Sequence, residues 1–124
     1  MKAAGEASFA HFYHLYKKNA GYRDLPFELT KDDFRRITKD NCFYCGAEPG
    51  RLHKRWISNG AYLCNGVDRV INDTGYTLKN SVACCTNCNM MKKAMSAEDF
   101  IKACQAVVDH QSINAPREIV ANQQ

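Results

Sequence analysis

The sequence predicts an α+β fold in which a small metal-held core, built as knuckle, hairpin and helix, is flanked by helices on both sides. Three observations predict it. Two Cys-x-x-Cys pairs, Cys42/Cys45 and Cys85/Cys88, are separated by the 39 residues from Gly46 to Cys84. Strand-like segments around a turn signal fill that gap. Apolar residues at three- and four-residue spacing mark helices before and after it. At 124 residues the chain has the length of one small domain.

The elements follow in order. Phe9, Phe12, Tyr13, Tyr16 and Ala20 lie on one face of a helix expected from about Ala7 to Ala20, with Gly21 ending it. Thr30, with Asp33 three residues on, reads as a capping box opening a short helix that turns Phe34 and Ile37 inward, and Asp40-Asn41 breaks it. Ala61–Cys64 and Val67–Ile71 read as extended, Asn72–Gly75 as a turn, and Ser81–Cys84 as the returning strand. Thr86–Met95 reads as a short helix. Ser96 caps the next one, with Asp99 at the third position and Phe100, Ile101, Cys104, Val107 and Val108 as its apolar stripe. This divides the chain into a helical segment over 1–40 packed on the core, the metal domain over 41–95, a helix of the same domain over 96–110, and a polar, loose tail over 111–124.

Hydrophobic residues make up 45% of the chain and charged residues 24%, a folding composition that excludes disorder. No apolar run approaches the ~20 residues of a membrane span, and the first ten residues lack the apolar stretch of a signal peptide. Seven cysteines are many for this length, and an odd number suits a disulfide scaffold poorly. A cytoplasmic, reducing compartment with metal-bound thiolates is the expectation. The two-residue gap within each pair lets both sulfurs reach one ion, so Cys42, Cys45, Cys85 and Cys88 are assigned to a structural Zn²⁺. Four thiolates leave no open position for water, so any chemistry needs a second site. Cys64, Cys84 and Cys104 are expected to be reduced bystanders, Cys104 in a helix core.

The charge is uneven. The net +4 of the whole chain equals that of residues 41–95, which hold seven bases and three acids. On the helix carrying Cys88, Asn89 points about 100° away from the zinc and toward the hairpin, where Asp68 lies. A carboxylate and an amide oxygen suit a hard cation such as Mg²⁺ or Mn²⁺. Lys92 and Lys93 lie three and four residues past Asn89, where a phosphate could approach, with Arg69 and Lys79 near the hairpin. A hard cation among basic side chains points to a phosphodiester.

The runs Cys42-Phe-Tyr-Cys45-Gly46, Asn65-Gly-Val-Asp68-Arg69-Val70, Gly75-Tyr-Thr-Leu-Lys79-Asn80 and Cys84-Cys85-Thr-Asn-Cys88-Asn89-Met-Met-Lys92 together resemble the HNH endonuclease superfamily, and more narrowly its zinc-bearing bacteriophage members. The resemblance covers about residues 41–95 and implies a ββα-metal or treble-clef zinc core. It implies metal-dependent hydrolysis of phosphodiester bonds, with DNA as the first partner and RNA as the second. By resemblance Asp68 and Asn89 are the ligands of the catalytic cation, and Asn80 supports the hairpin loop and positions the base.

The departure is Arg69, where the family places the histidine that activates water. Arginine stays protonated and cannot act as that base, though it can clamp a phosphate. His53 is the nearest substitute by sequence, metal-bound water is a second, and a nucleic-acid or protein interaction module that does not cut is the alternative function. The run Arg51-Leu52-His53-Lys54-Arg55 reads equally as a DNA-contacting loop or a solvated one. Trp56 and Tyr62 beside it are expected to pack in the core rather than stack on bases. His11 and His14, three apart, are expected to be partly exposed residues rather than metal ligands.

Overall fold

The computed structural model describes residues 3–114. Its elements are α1 (Glu6–Tyr22), α2 (Lys31–Thr38), β1 (Arg51–His53), β2 (Tyr62–Cys64), β3 (Gly66–Arg69), β4 (Ser81–Cys84), α3 (Thr86–Lys92) and α4 (Ala97–Asn114). The α+β expectation holds. No helix among the described residues is long and apolar enough to cross a membrane.

The aromatic face of α1 builds the main core. Phe9, Phe12 and Tyr13 are buried against Phe34 and Ile37 of α2, Tyr62 of β2, Val67 of β3 and Ala83 of β4. The rings pack edge-on or tilted, as between Phe9 and Tyr62 at 5.1 Å and Tyr16 and Tyr76 at 5.8 Å, which favours their quadrupoles. The capping box at α2 forms on both sides: Asp33 N–H donates to Thr30 Oγ1 and Thr30 N–H to Asp33 Oδ2.

Two antiparallel hairpins, not one, fill the space between the cysteine pairs. β1 pairs with β2, Arg51 opposite Cys64 and His53 opposite Tyr62. β3 pairs with β4, Gly66 opposite Cys84 and Asp68 opposite Val82. The loop of the second hairpin folds back so that Phe27 and Tyr76 form a parallel bridge, with Tyr76 N–H on Pro26 O at 2.8 Å. A Cβ at position 75 would collide with the Pro26 carbonyl, so this close approach requires Gly75.

Several expectations are corrected. Gly21 lies inside α1, which runs on to Tyr22 because Arg23, Asp24 and Leu25 close the end with backbone bonds to Ala20 and Gly21. The basic run expected as a loop begins as strand β1. α3 stops at Lys92, since Lys93 takes a left-handed φ of 51°. α4 extends to Asn114, so the expected loose tail at Gln111–Asn114 is helical, and 115–124 lie outside the described residues. Its stripe is not a core: Phe100 is buried, but Ile101, Val107 and Val108 are exposed, and so is Cys104.

Candidate metal centre and hairpin site

The knuckle forms because Gly46 takes φ 80°, open to glycine at little cost, and returns its N–H to Cys42 O at 2.9 Å. Cys42 N–H bonds Ala47 O, and Phe43 N–H bonds Ala83 O, which ties the knuckle to β4. On the other side Cys85 is the N-cap of α3, its Sγ accepting from Cys88 N–H. Cys42, Cys45, Cys85 and Cys88 thereby bring four sulfurs within 4.8 Å of one another. The Cys45 and Cys85 sulfurs are 3.6 Å apart. A tetrahedral ion with ~2.3 Å bonds needs sulfurs roughly 3.8 Å apart, so the donor set fits zinc in chemistry and in size. No other cluster of three or more such donors occurs among the described residues.

Thiol acidity is split across the cluster. Burial acts to raise the Cys42 pKa, but hydrogen bonds from backbone N–H groups, Cys45 and Cys85 foremost, outweigh it and bring the thiol down to about 7. Cys84 is pushed up to about 12 by burial and by the nearby Asp68 charge. Cys84 and Cys64 are buried and lie outside the four-sulfur cluster.

On the second hairpin Asp68 faces α3 and the knuckle. Its Oδ2 accepts from the Tyr44 hydroxyl at 2.6 Å and lies 3.1 Å from Lys92 Nζ. Lys92 Nζ also reaches Asp68 Oδ1 at 3.4 Å and Arg69 O at 3.3 Å. The Lys92 side chain is 0% exposed. It cannot meet a phosphate from there, which corrects its assignment to nucleic-acid binding. Its aliphatic stem is buried and its charge is matched by Asp68. Burial and the Asp68 carboxylate together hold the Tyr44 hydroxyl well above the ordinary tyrosine pKa.

Arg69 is also turned inward. It is 8% exposed, donates to the Asn72 carbonyl and lies over the Tyr76 ring at 5.4 Å. An exposed phosphate clamp is therefore not what this side chain presents. The next-door pleat explains it: Asp68 and Arg69 face opposite sides of the sheet. Asn80 is buried and bridges the hairpin loop. Its Oδ1 accepts from Ile71 N–H at 2.8 Å, and its Nδ2 is shared among the carbonyls of Ile71, Thr74 and Gly75 at 3.0 to 3.1 Å.

Asn89 is exposed on α3, beside a narrow cleft that it lines with Tyr16, Arg51, Gly66 and Thr86. Asp68 is not part of that lining. The structure thus joins Asn89 with Arg51, and Asp68 with Lys92 and Tyr44. Arg51, Lys54, Arg55, Lys79 and Lys93 are exposed. His53 sits on β1, its Nε2 2.9 Å from His11 Nδ1, and its ring is stacked on that of His11. Burial first, then His11 and Arg51, lower its pKa. His14 is exposed. Tyr62 is buried as expected, whereas Trp56 is 85% exposed, which corrects its placement in the core.

Sequence reasoning missed two supporting residues. Tyr44 is hidden inside the knuckle spacing, where nothing signals a bond to a hairpin carboxylate. Asn65 is 2% exposed and donates to Asp40 O and Ala47 O, fastening the knuckle to the end of α2. Its place just before β3 was visible, its burial was not.

No family model matches the chain. A viral relative, "Uncharacterized protein R423" of Acanthamoeba polyphaga mimivirus, is 36% identical over 98 residues, which are 79% of this chain and 16% of that protein. The chain therefore spans about a sixth of that relative's length. Among solved structures it is similar to the rare-cutting HNH restriction endonuclease PacI, with a TM-score of 0.59 and 22% identity over 82% of this chain and 78% of that one. With a four-cysteine metal cluster joined to a hairpin and a short helix, the chain has the fold of an HNH endonuclease.

Proposed function

We propose that the chain is a zinc-structured, metal-dependent endonuclease domain of HNH type that hydrolyses phosphodiester bonds in DNA. The observation that carries this reading is the fold shared with an HNH restriction endonuclease over most of the chain. The zinc would be structural, since the four sulfurs fill its coordination sphere. Asp68 and Asn89 would be the donors for a hard cation once the Lys92–Asp68 pair opens, since Asn89 lines the cleft with Arg51 while Asp68 lies against Lys92 and Tyr44. The carboxylate has acceptor capacity beyond Tyr44 and Lys92, and the amide is exposed. A bound Mg²⁺ or Mn²⁺ would supply Lewis acidity and a lowered pKa for water.

The chain's own residues do the rest. Asn80 holds the loop that fixes Arg69 and Asp68. Arg51 stands beside Asn89 to receive a phosphate, and Lys54, Arg55, Lys79 and Lys93 extend the basic surface. No histidine base adjoins Asp68, and loss of a general base typically costs roughly 10²–10⁴-fold, so hydrolysis is expected to be slow. A zinc held by four thiolates, with three further cysteines outside the cluster, suits a reducing compartment, and we place the protein in the cytoplasm.

A second reading is favoured by one observation. The buried Lys92 charge against Asp68 opposes a cation on the same carboxylate, which suits a DNA-binding module that does not cut. Plasmid nicking with Mg²⁺ or Mn²⁺ separates the two. Nicking that is abolished by EDTA and lost in folded Asp68→Ala and Asn89→Ala supports the endonuclease. Tight DNA binding with intact plasmid supports the module.

A further inference from the structure

The connection between β1 and β2 is unusual in what it exposes. Trp56 and Ile57 are each 85% exposed, and Leu52 is 70% exposed. Lys54 and Arg55 immediately precede them, and residues 49–67 contain Arg51, Lys54 and Arg55 without a single acid. An apolar tip on an entirely basic stem is complementary to nucleic acid, where anionic phosphates flank apolar base faces.

The tip is also held in place. Ser8 of α1 is fully buried and its hydroxyl meets the loop three times, accepting from Arg55 N–H at 3.0 Å, donating to Gly60 O at 2.7 Å and lying 2.9 Å from Ser58 Oγ. Gly5 N–H bonds Asn59 O at 2.6 Å, and Ser58 N–H bonds Arg55 O at 3.1 Å. Ile57 adopts φ 58°, a left-handed conformation that a β-branched residue takes only where its surroundings impose it. The loop base is thus fastened to α1 while the indole projects outward. An exposed indole on a fastened loop, beside backbone-tracking cations, is a stacking platform.

We propose that Trp56 is a base-stacking residue: it takes the face of an unpaired DNA base, while Lys54 and Arg55 hold the adjoining phosphates. This rests on the reading of the protein as DNA-directed and adds the feature of DNA that it selects. An unpaired base offers its π-face at once, whereas a paired one must first be unstacked.

Trp56 is the sole tryptophan, so its fluorescence reports the contact directly. The zinc-loaded full chain is titrated with a fluorescein-labelled 20-nucleotide single strand and with the paired 20-base-pair duplex, following anisotropy and indole emission together. The expected results are indole quenching on the single strand and a roughly 5- to 100-fold weaker affinity for it in Trp56→Ala. That variant should keep the wild-type salt slope, Trp56→Phe should recover most of the affinity, and Lys54→Ala and Arg55→Ala should each lower the slope by about 1. Because Trp56 is exposed, Trp56→Ala is expected to fold, which circular dichroism checks.

DNA binding by anisotropy with unchanged indole emission would overturn the stacking role and leave the DNA-directed reading standing. Equal quenching and equal loss on the paired duplex would overturn the selection of unpaired bases. Concentration-dependent burial of the indole without DNA would make the tip a contact between copies of the chain. Absence of any DNA binding would overturn both readings.

Discussion

Replacing Lys92 with methionine tests the arrangement around Asp68. The ammonium is wholly buried, 3.1 Å from Asp68 Oδ2, and the carboxylate side chain is 10% exposed. At that separation and an effective dielectric of about 20, the attraction is worth about 5 kcal/mol before desolvation. Methionine fills nearly the same volume, so the loss is electrostatic and leaves Asp68 as a buried carboxylate with only Tyr44 beside it. Breaking a buried pair in this way costs roughly 3–5 kcal/mol. Urea unfolding of the zinc-loaded protein should show the midpoint falling with an unchanged m-value. Asp68→Asn together with Lys92→Met removes both charges and should recover much of the loss, giving a coupling on the order of 2 kcal/mol. A single-variant cost below about 1 kcal/mol, or simple additivity in the cycle, would refute the buried pair.

Three further outcomes follow from the same geometry. Asn80→Ala removes the bridge across the hairpin loop and leaves Ile71 N–H and neighbouring carbonyls unpaired, so about 2–4 kcal/mol of stability should be lost in urea unfolding. His53 has a lowered folded pKa, so the unfolded chain binds the proton more readily. Its contribution is complete above the ordinary histidine pKa of about 6.5 and is lost as pH falls through the folded value, and His53→Gln should flatten this part of the pH–stability profile. Stripping the metal with a strong chelator should unfold the knuckle and α3, read as loss of circular dichroism and recovery on adding Zn²⁺, because the four sulfurs link elements with little core of their own.

The legible parts of this protein are those fixed by spacing. The Cys-x-x-Cys pairs, the capping box at Thr30 and the Val67–Cys84 hairpin each depend on residues a few positions apart, and the structure shows all three. What was not legible depends on contacts distant in sequence. β1 looks like a charged loop because Arg51, His53, Lys54 and Arg55 crowd it with polar groups, and only pairing with Tyr62–Cys64 makes it a strand. Lys92 and Lys93 are indistinguishable as neighbours in sequence. Lys92 closes α3 and is buried beside Asp68, whereas Lys93 leaves the helix at a φ of 51° and stays in solvent. Hydrophobicity alone places Trp56 inside, while buried Ser8, a polar residue, secures the loop that keeps it out. The stripe on α4 marks a helix face, but only Phe100 at its start reaches the metal-centre core.

The most direct measurement is the single-turnover nicking of supercoiled plasmid by the zinc-loaded chain in Mn²⁺, run beside Asn89→Ala, a change at an exposed position. Slow, EDTA-sensitive conversion to nicked circle is expected from the wild type and its loss from the variant. Intact supercoiled DNA with the wild type under conditions where it binds DNA, or equal nicking by both proteins, would contradict the endonuclease reading.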